Sequence, residues 1–214
     1  MASLPQDLDR LLHDLRGPLN AMAMHLEVLK RTPPGDPEAL QRLETVRAEM
    51  ARLAALLPAA FDVLAVERRD VAPINLGLLV RRALEAEGLG AVTLADGAWP
   101  DVRGDARLLG LAVAHLVRNA LAATEAAGGG RRAPHLSASA AQPGRVPLVV
   151  RDWGTGLPTT NSRALIRLSL SKTTGRPAVG LLTVERVARL HGGTVEFHAP
   201  ADGGAEVRLT LPAA

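Results

Sequence analysis

The 214-residue chain contains no cysteine and no tyrosine, and tryptophan and phenylalanine contribute two residues each. Without cysteine, disulfides and cysteine-based metal sites are excluded. With so few aromatics, an aromatic-rich β-sandwich is disfavoured; alanine and leucine dominate instead, so helices should supply much of the core. The chain also lacks a strong charge bias. Lys and Arg together number 25 against 22 Asp and Glu, a net charge of +3, and the high pI reflects arginine standing in for nearly all lysine rather than a basic tract. That balance argues against nucleic-acid binding. No apolar run approaches the roughly 20 residues that span a bilayer. The N-terminus MASLPQDLDR is too acidic for a signal peptide. A soluble, cytoplasmic chain without membrane insertion is expected, long enough for one large domain or two small ones.

What is present begins with heptads. Leu8, Leu12, Leu15, Leu19, Met22, Leu26 and Leu29 follow alternating spacings of three and four, a seam for helix packing. TPPGDP (32–37) must break that helix and reverse the chain. Leu40, Leu43, Val46, Met50, Leu53, Leu57, Phe61 and Leu64 then repeat the spacing, with Pro58 expected to kink the second helix. Residues 4–67 read as an antiparallel helical hairpin. Its core is too narrow to stand alone, which predicts a homodimer with a four-helix bundle. Beyond ERRDVAP, with a boundary near residue 70, the texture changes. Helices are expected at 75–88, 104–130 and 179–193, and strands at 134–142, 145–152, 193–200 and 205–212, the last two joined by an Ala-Asp-Gly-Gly turn. This order predicts an α+β sandwich with helices on one face of the sheet.

Four clusters carry chemistry-bearing residues. In HDLRGPLN (13–20), His13 follows a seam leucine, so it is either a plain surface histidine or a partly exposed nucleophile whose tautomer Asp14 fixes. In HLVRNALAA, Asn119 either faces solvent or offers an amide oxygen to Mg²⁺ held on nucleotide phosphates. In DWGTG, the strand ends in Asp152, followed by Gly154 and Gly156. This is either a simple turn or a carboxylate that accepts from an exocyclic amino group, with glycines that let backbone approach a planar ring. SKTTGRPAVGL, with Lys172, Gly175 and Gly180, opens a helix as a phosphate-cradling loop would.

Together and in this order the four clusters resemble the sensor histidine kinases of two-component systems, over nearly the whole chain. HDLRGPLN looks like the H-box, GDARLLGLAVAHLVRNALAA like the N-box, and DWGTG and SKTTGRPAVGL like the two glycine boxes. The resemblance implies a dimerisation and phosphotransfer domain over 1–69 and a Bergerat-type ATP-binding domain over 70–214. It makes His13 the phosphoacceptor, Asp14 its acid–base partner, Asn119 the Mg²⁺ ligand and Asp152 the reader of adenine. Pro18 becomes a helix-bending proline. Phosphoryl transfer would run from ATP to His13 and on to an aspartate of a response-regulator receiver domain. Only about a dozen residues precede His13, so input is expected from a separate sensory protein or from outside this chain. The second glycine box departs from the family: Arg176, Pro177 and Ala178 separate its glycines, and LIRLSLS stands where phenylalanines are usual. A non-enzymatic histidine phosphotransfer or scaffold protein with a degenerate ATP-binding domain is therefore the alternative to an active kinase.

Overall fold

The computed structural model describes residues 4–33, 36–128, 132–139, 143–171 and 174–214. They fall into two compact units, Met1–Ala65 with Arg167–Val179, and Val66–Ile166 with Gly180–Ala214.

The first unit is the hairpin of α1 (Leu4–Leu29) and α2 (Pro37–Leu64). Asp36 caps α2, its carboxylate accepting from Glu38 N at 2.9 Å, and Pro37 occupies the first turn, where a missing N–H costs nothing. Pro18 and Pro58 both lie inside continuous helices. The packing seam differs from the expected one. Leu11, 3% exposed, meets an α2 face carrying Val46, Leu53, Leu56, Ala60 and Val63, all buried. Much of the predicted seam instead faces outward: Leu12, Leu19 and Leu26 on α1, and Leu40, Leu43, Met50, Leu57 and Phe61 on α2 are exposed. Adjacent helix positions lie about 100° apart, so Leu11 and Leu12 cannot both face α2. Residues 167–179 also belong to this unit. Leu170 bridges Pro177, Ala178 N donates to Ser169 O at 2.7 Å, and Ser171 N donates to Arg176 O at 2.7 Å.

The second unit begins with a ribbon of β1 (Ala72–Asn75) antiparallel to β3 (Asp101–Gly104). The main sheet has the order β2 (Thr93–Leu94), β4 (His135–Ala138), β5 (Arg145–Asp152), β7 (Ala205–Pro212), β6 (Thr194–His198). Among the described residues only the β2–β4 pair is parallel. Alternation along β5 turns Val146, Leu148 and Val150 inward, where they join Leu209 and Leu211 of β7. The helix layer supplies the other half of the core: Val80 of α3 (Leu76–Ala86), Leu109, Val113 and Leu116 of α4 (Ala106–Ala126), and Val184 and Val187 of α6 (Gly180–Leu190). A short α5 covers Ser162–Leu165. Contrary to the reading of apolar runs, α4 is long and apolar enough by composition to cross a membrane, yet its apolar face is spent on this core.

One buried polar network ties α4 to α6. Asp105 caps α4 by accepting from Arg107 N at 3.1 Å and Leu108 N at 3.3 Å, and its other oxygen accepts from Arg69 N at 3.0 Å. Asp105 N donates to His191 Nε2 at 2.9 Å, and the other ring nitrogen, Nδ1, lies 2.7 Å from Val187 O, to which it donates. Burial pushes the His191 imidazole below its ordinary pKa; the Val187 bond opposes this, Arg68 adds to it and Asp105 opposes it. A depressed histidine pKa in the fold means that the unfolded chain takes up the proton first. Stability should therefore be full above about pH 6.5 and fall as pH drops below it. Thermal unfolding between pH 5 and 8 checks this. His191→Gln should flatten the slope, and an unchanged slope in that variant would assign it elsewhere.

Candidate functional site

His13 is exposed on α1, and with Asp14, Gly17, Pro18, Arg52 and Arg167 it lines a cleft of about 430 Å³ in the first unit. The carboxylate of Asp14 does not hold the His13 ring as expected. Its Oδ2 accepts from Leu168 N at 2.8 Å, because neighbouring helical residues diverge and the 167–169 segment lies within reach. Asp14 Oδ1 has no partner among the described residues.

In the second unit, β5 delivers Asp152 buried at its end. Oδ1 accepts from Gly154 N at 2.9 Å and Ala205 N at 3.3 Å, and Oδ2 has no partner among the described residues. Gly154 is required by close approach: a Cβ there would fall 2.3 Å from the carbonyl carbon of Ala123 on α4. Gly156, at φ +74°, turns the chain back beside Gly204. These glycines fit the turn to α4 and to the β6–β7 turn. Trp153 is half-buried, its indole N–H donating to Asp202 Oδ2 at 3.1 Å, with the Arg132 and Arg151 guanidinium carbons 4.2 and 4.7 Å from the ring centroid.

On α4, His115 and Asn119 are one turn apart and share a face. Asn119 is exposed, and its amide has no partner among the described residues. A neutral, unengaged amide oxygen is the donor type a phosphate-held Mg²⁺ accepts. His115 lies against Gly180, the first residue of α6. Burial pushes its imidazole below the ordinary pKa, Arg118 adds to this and Glu87 opposes it. In the second glycine box Gly175, at φ +67°, belongs to the first unit and Gly180 to the second; Ser169, Ser171, Gly175, Arg176 and Ala178 bond among themselves. Lys172 lies outside the described residues. An apolar groove of about 780 Å³, lined by Ile74, Leu78, Leu79, Ala83, Gly110 and Leu111 among others, includes none of the expected site residues.

Three residues that bond to the expected site residues or their neighbours escaped the sequence reading: Leu168, Arg151 and Asp202. The available signal was the Asp-Gly-Gly of the β6–β7 turn, which marked a turn and nothing more.

Comparison with known proteins adds the following. The family described as "Histidine kinase-, DNA gyrase B-, and HSP90-like ATPase" matches residues 104–214, and the "His Kinase A (phospho-acceptor) domain" matches residues 8–59. The sensor protein DivL of Caulobacter vibrioides is 32% identical over 211 residues, covering 94% of this chain and 27% of DivL. The sensor-type histidine kinase PrrB of Mycobacterium tuberculosis is 30% identical over 210 residues, covering 94% of this chain and 46% of PrrB. The chain thus spans half or less of the length of these curated relatives. Among solved structures, full-length ShkA in complex with AMPPNP superposes at a TM-score of 0.54 and 27% identity, over 99% of this chain and 46% of ShkA. The ATP binding domain of M. tuberculosis PrrB superposes at 0.51 and 27%, over 68% of this chain and 99% of that domain.

Proposed function

Since the chain belongs to the sensor histidine kinases, within the histidine kinase-, DNA gyrase B- and HSP90-like ATPase family, we propose that it is an active cytoplasmic histidine kinase that phosphorylates its own His13 from ATP and passes the group to a response-regulator aspartate. The observation that carries this reading is Asp152. Two main-chain N–H groups fix one carboxylate oxygen and leave the other to accept from the amino group of adenine. Asn119 is the residue that would hold Mg²⁺, whose charge on the nucleotide phosphates assists departure of ADP. A ring nitrogen of His13 attacks the γ-phosphorus as the bond to ADP breaks, and the proton from the other ring nitrogen goes to Asp14, whose Oδ1 is open for it. The phosphoryl group then leaves His13 for a receiver aspartate. By this reading 1–69 is the dimerisation and phosphotransfer domain and 70–214 the ATP-binding domain. The input comes from a separate sensory protein or segment.

Trp153 provides the test. Trp99 is buried in the core with its N–H on Ala95 O, so a Trp99→Phe background isolates the Trp153 signal. Titration with ATP and Mg²⁺ should change that emission, and Asp152→Asn should weaken the response about tenfold or more by placing an N–H₂ where an acceptor is needed. A flat titration of the folded protein would favour the second reading, a phosphotransfer or scaffold protein. That reading has one observation in its favour: Arg176, Pro177 and Ala178 stand between the glycines of the second glycine box.

The homodimer rests on the exposed leucine stripe. Leu19 is 51% exposed and Phe61 66%, and a second copy of the hairpin would bury both. Leu19→Asp should leave the hairpin folded, because Leu19 does not face α2, yet convert the protein to a monomer by sedimentation. A dimer that persists in this variant would place the interface elsewhere.

A further inference from the structure

The ends of β5 and β7 are joined by side chains for which strand pairing has no need. Arg151 is buried, and a buried guanidinium is costly unless its donors are satisfied. It reaches Asp202 Oδ1 at 2.7 Å, Gly203 O at 2.6 Å and Ala205 O at 3.2 Å, and it also donates to the carbonyl of Asp152. The second oxygen of Asp202 takes the Trp153 indole N–H. One carboxylate therefore grips the residues on both sides of Asp152. Gly204 closes the arrangement: at φ +70°, a Cβ there would stand 2.1 Å from Asp152 O, so the β6–β7 turn rests directly on the backbone of Asp152.

We propose that Asp202 is a positioning residue for the nucleotide site, holding Arg151 and Trp153 so that the β6–β7 turn fixes the direction of the Asp152 carboxylate. This rests on the assignment of Asp152 to adenine. The rotamer of Asp152 is set by Ala205 N and Gly154 N, and the place of Ala205 is set by the turn that Asp202 anchors. With Asp202 removed, the turn keeps its ladder pair Asp152↔Ala205 but loses the anchor beyond it. The Asp152 carboxylate then samples several directions, and an acceptor held loosely binds and discriminates poorly. The Trp153 indole first, then Arg151, hold the Asp202 carboxyl below the usual carboxylate range.

The test is calorimetric titration of the full chain with ATP and with GTP, which carries a carbonyl where adenine carries its amino group. Asp202→Ala should weaken ATP binding about tenfold and reduce the preference for ATP over GTP by a similar factor. In His13 labelling the loss should fall chiefly on the KM for ATP. Asp202→Asn keeps an acceptor for the indole and should recover part of the affinity. ATP affinity and base preference unchanged in a folded Asp202→Ala or Asp202→Asn protein would overturn the proposal, leaving the cluster as a structural staple. Should the wild type itself bind no ATP, the kinase reading falls and this proposal with it. Wild-type binding with an unaffected variant overturns this proposal alone.

Discussion

Replacing His13 by glutamine should abolish labelling of the chain by γ-labelled ATP, a loss of at least about a thousandfold, while nucleotide binding to the second unit stays unchanged. Glutamine matches histidine in length and polarity, and His13 is exposed on α1, so no packing is lost. What disappears is a basic ring nitrogen. An amide nitrogen shares its lone pair with the carbonyl and does not attack phosphorus. The label on the wild type should be acid-labile and base-stable, as a phosphoramidate is and a phosphoserine is not. Unlabelled wild type that still binds ATP would support the phosphotransfer reading, and persistent label in the variant would mean that another residue accepts the group.

Gly154→Ala should cost roughly 3 kcal/mol of stability in the second unit, at the upper end for overpacking, and should remove ATP binding with it. The added methyl would meet Ala123 O at 2.4 Å and Thr124 N at 2.6 Å, in addition to the carbonyl carbon of Ala123. All three are main-chain atoms of α4, the helix at the centre of the core, so no side-chain rotation relieves the clash. The turn would have to lift from α4, breaking the bond from Thr155 N to Ala123 O and carrying the Asp152 carboxylate off its aim. Urea denaturation beside an ATP titration measures both effects. A variant within about 0.5 kcal/mol of wild type and binding ATP normally would show that the turn and α4 have room to separate.

The sequence by itself determined the elements that carry a period. Two leucine-spaced runs divided by TPPGDP could only be paired helices, and RVPLVVRD and AEVRLTLP became β5 and β7 to the residue, because alternation and turn residues bound them. The four-residue β1 and β3 escaped notice because each is too short to show alternation, and Pro73 sits inside one of them. The Asp152 turn was legible as a strand end followed by glycines. Tertiary structure alone decided which stripe of the hairpin is buried. A heptad run marks an apolar arc, but Leu11 and Leu12 lie on its two sides, and only the presence of α2 chooses between them. It alone joined Asp14 to Leu168 across 154 positions and Arg151 to Asp202 across 51, and it divided Gly175 from Gly180. Periodicity records the faces of one element because side chains repeat with the backbone. A polar contact between two turns repeats nothing, so it exists only once the chain has closed on itself.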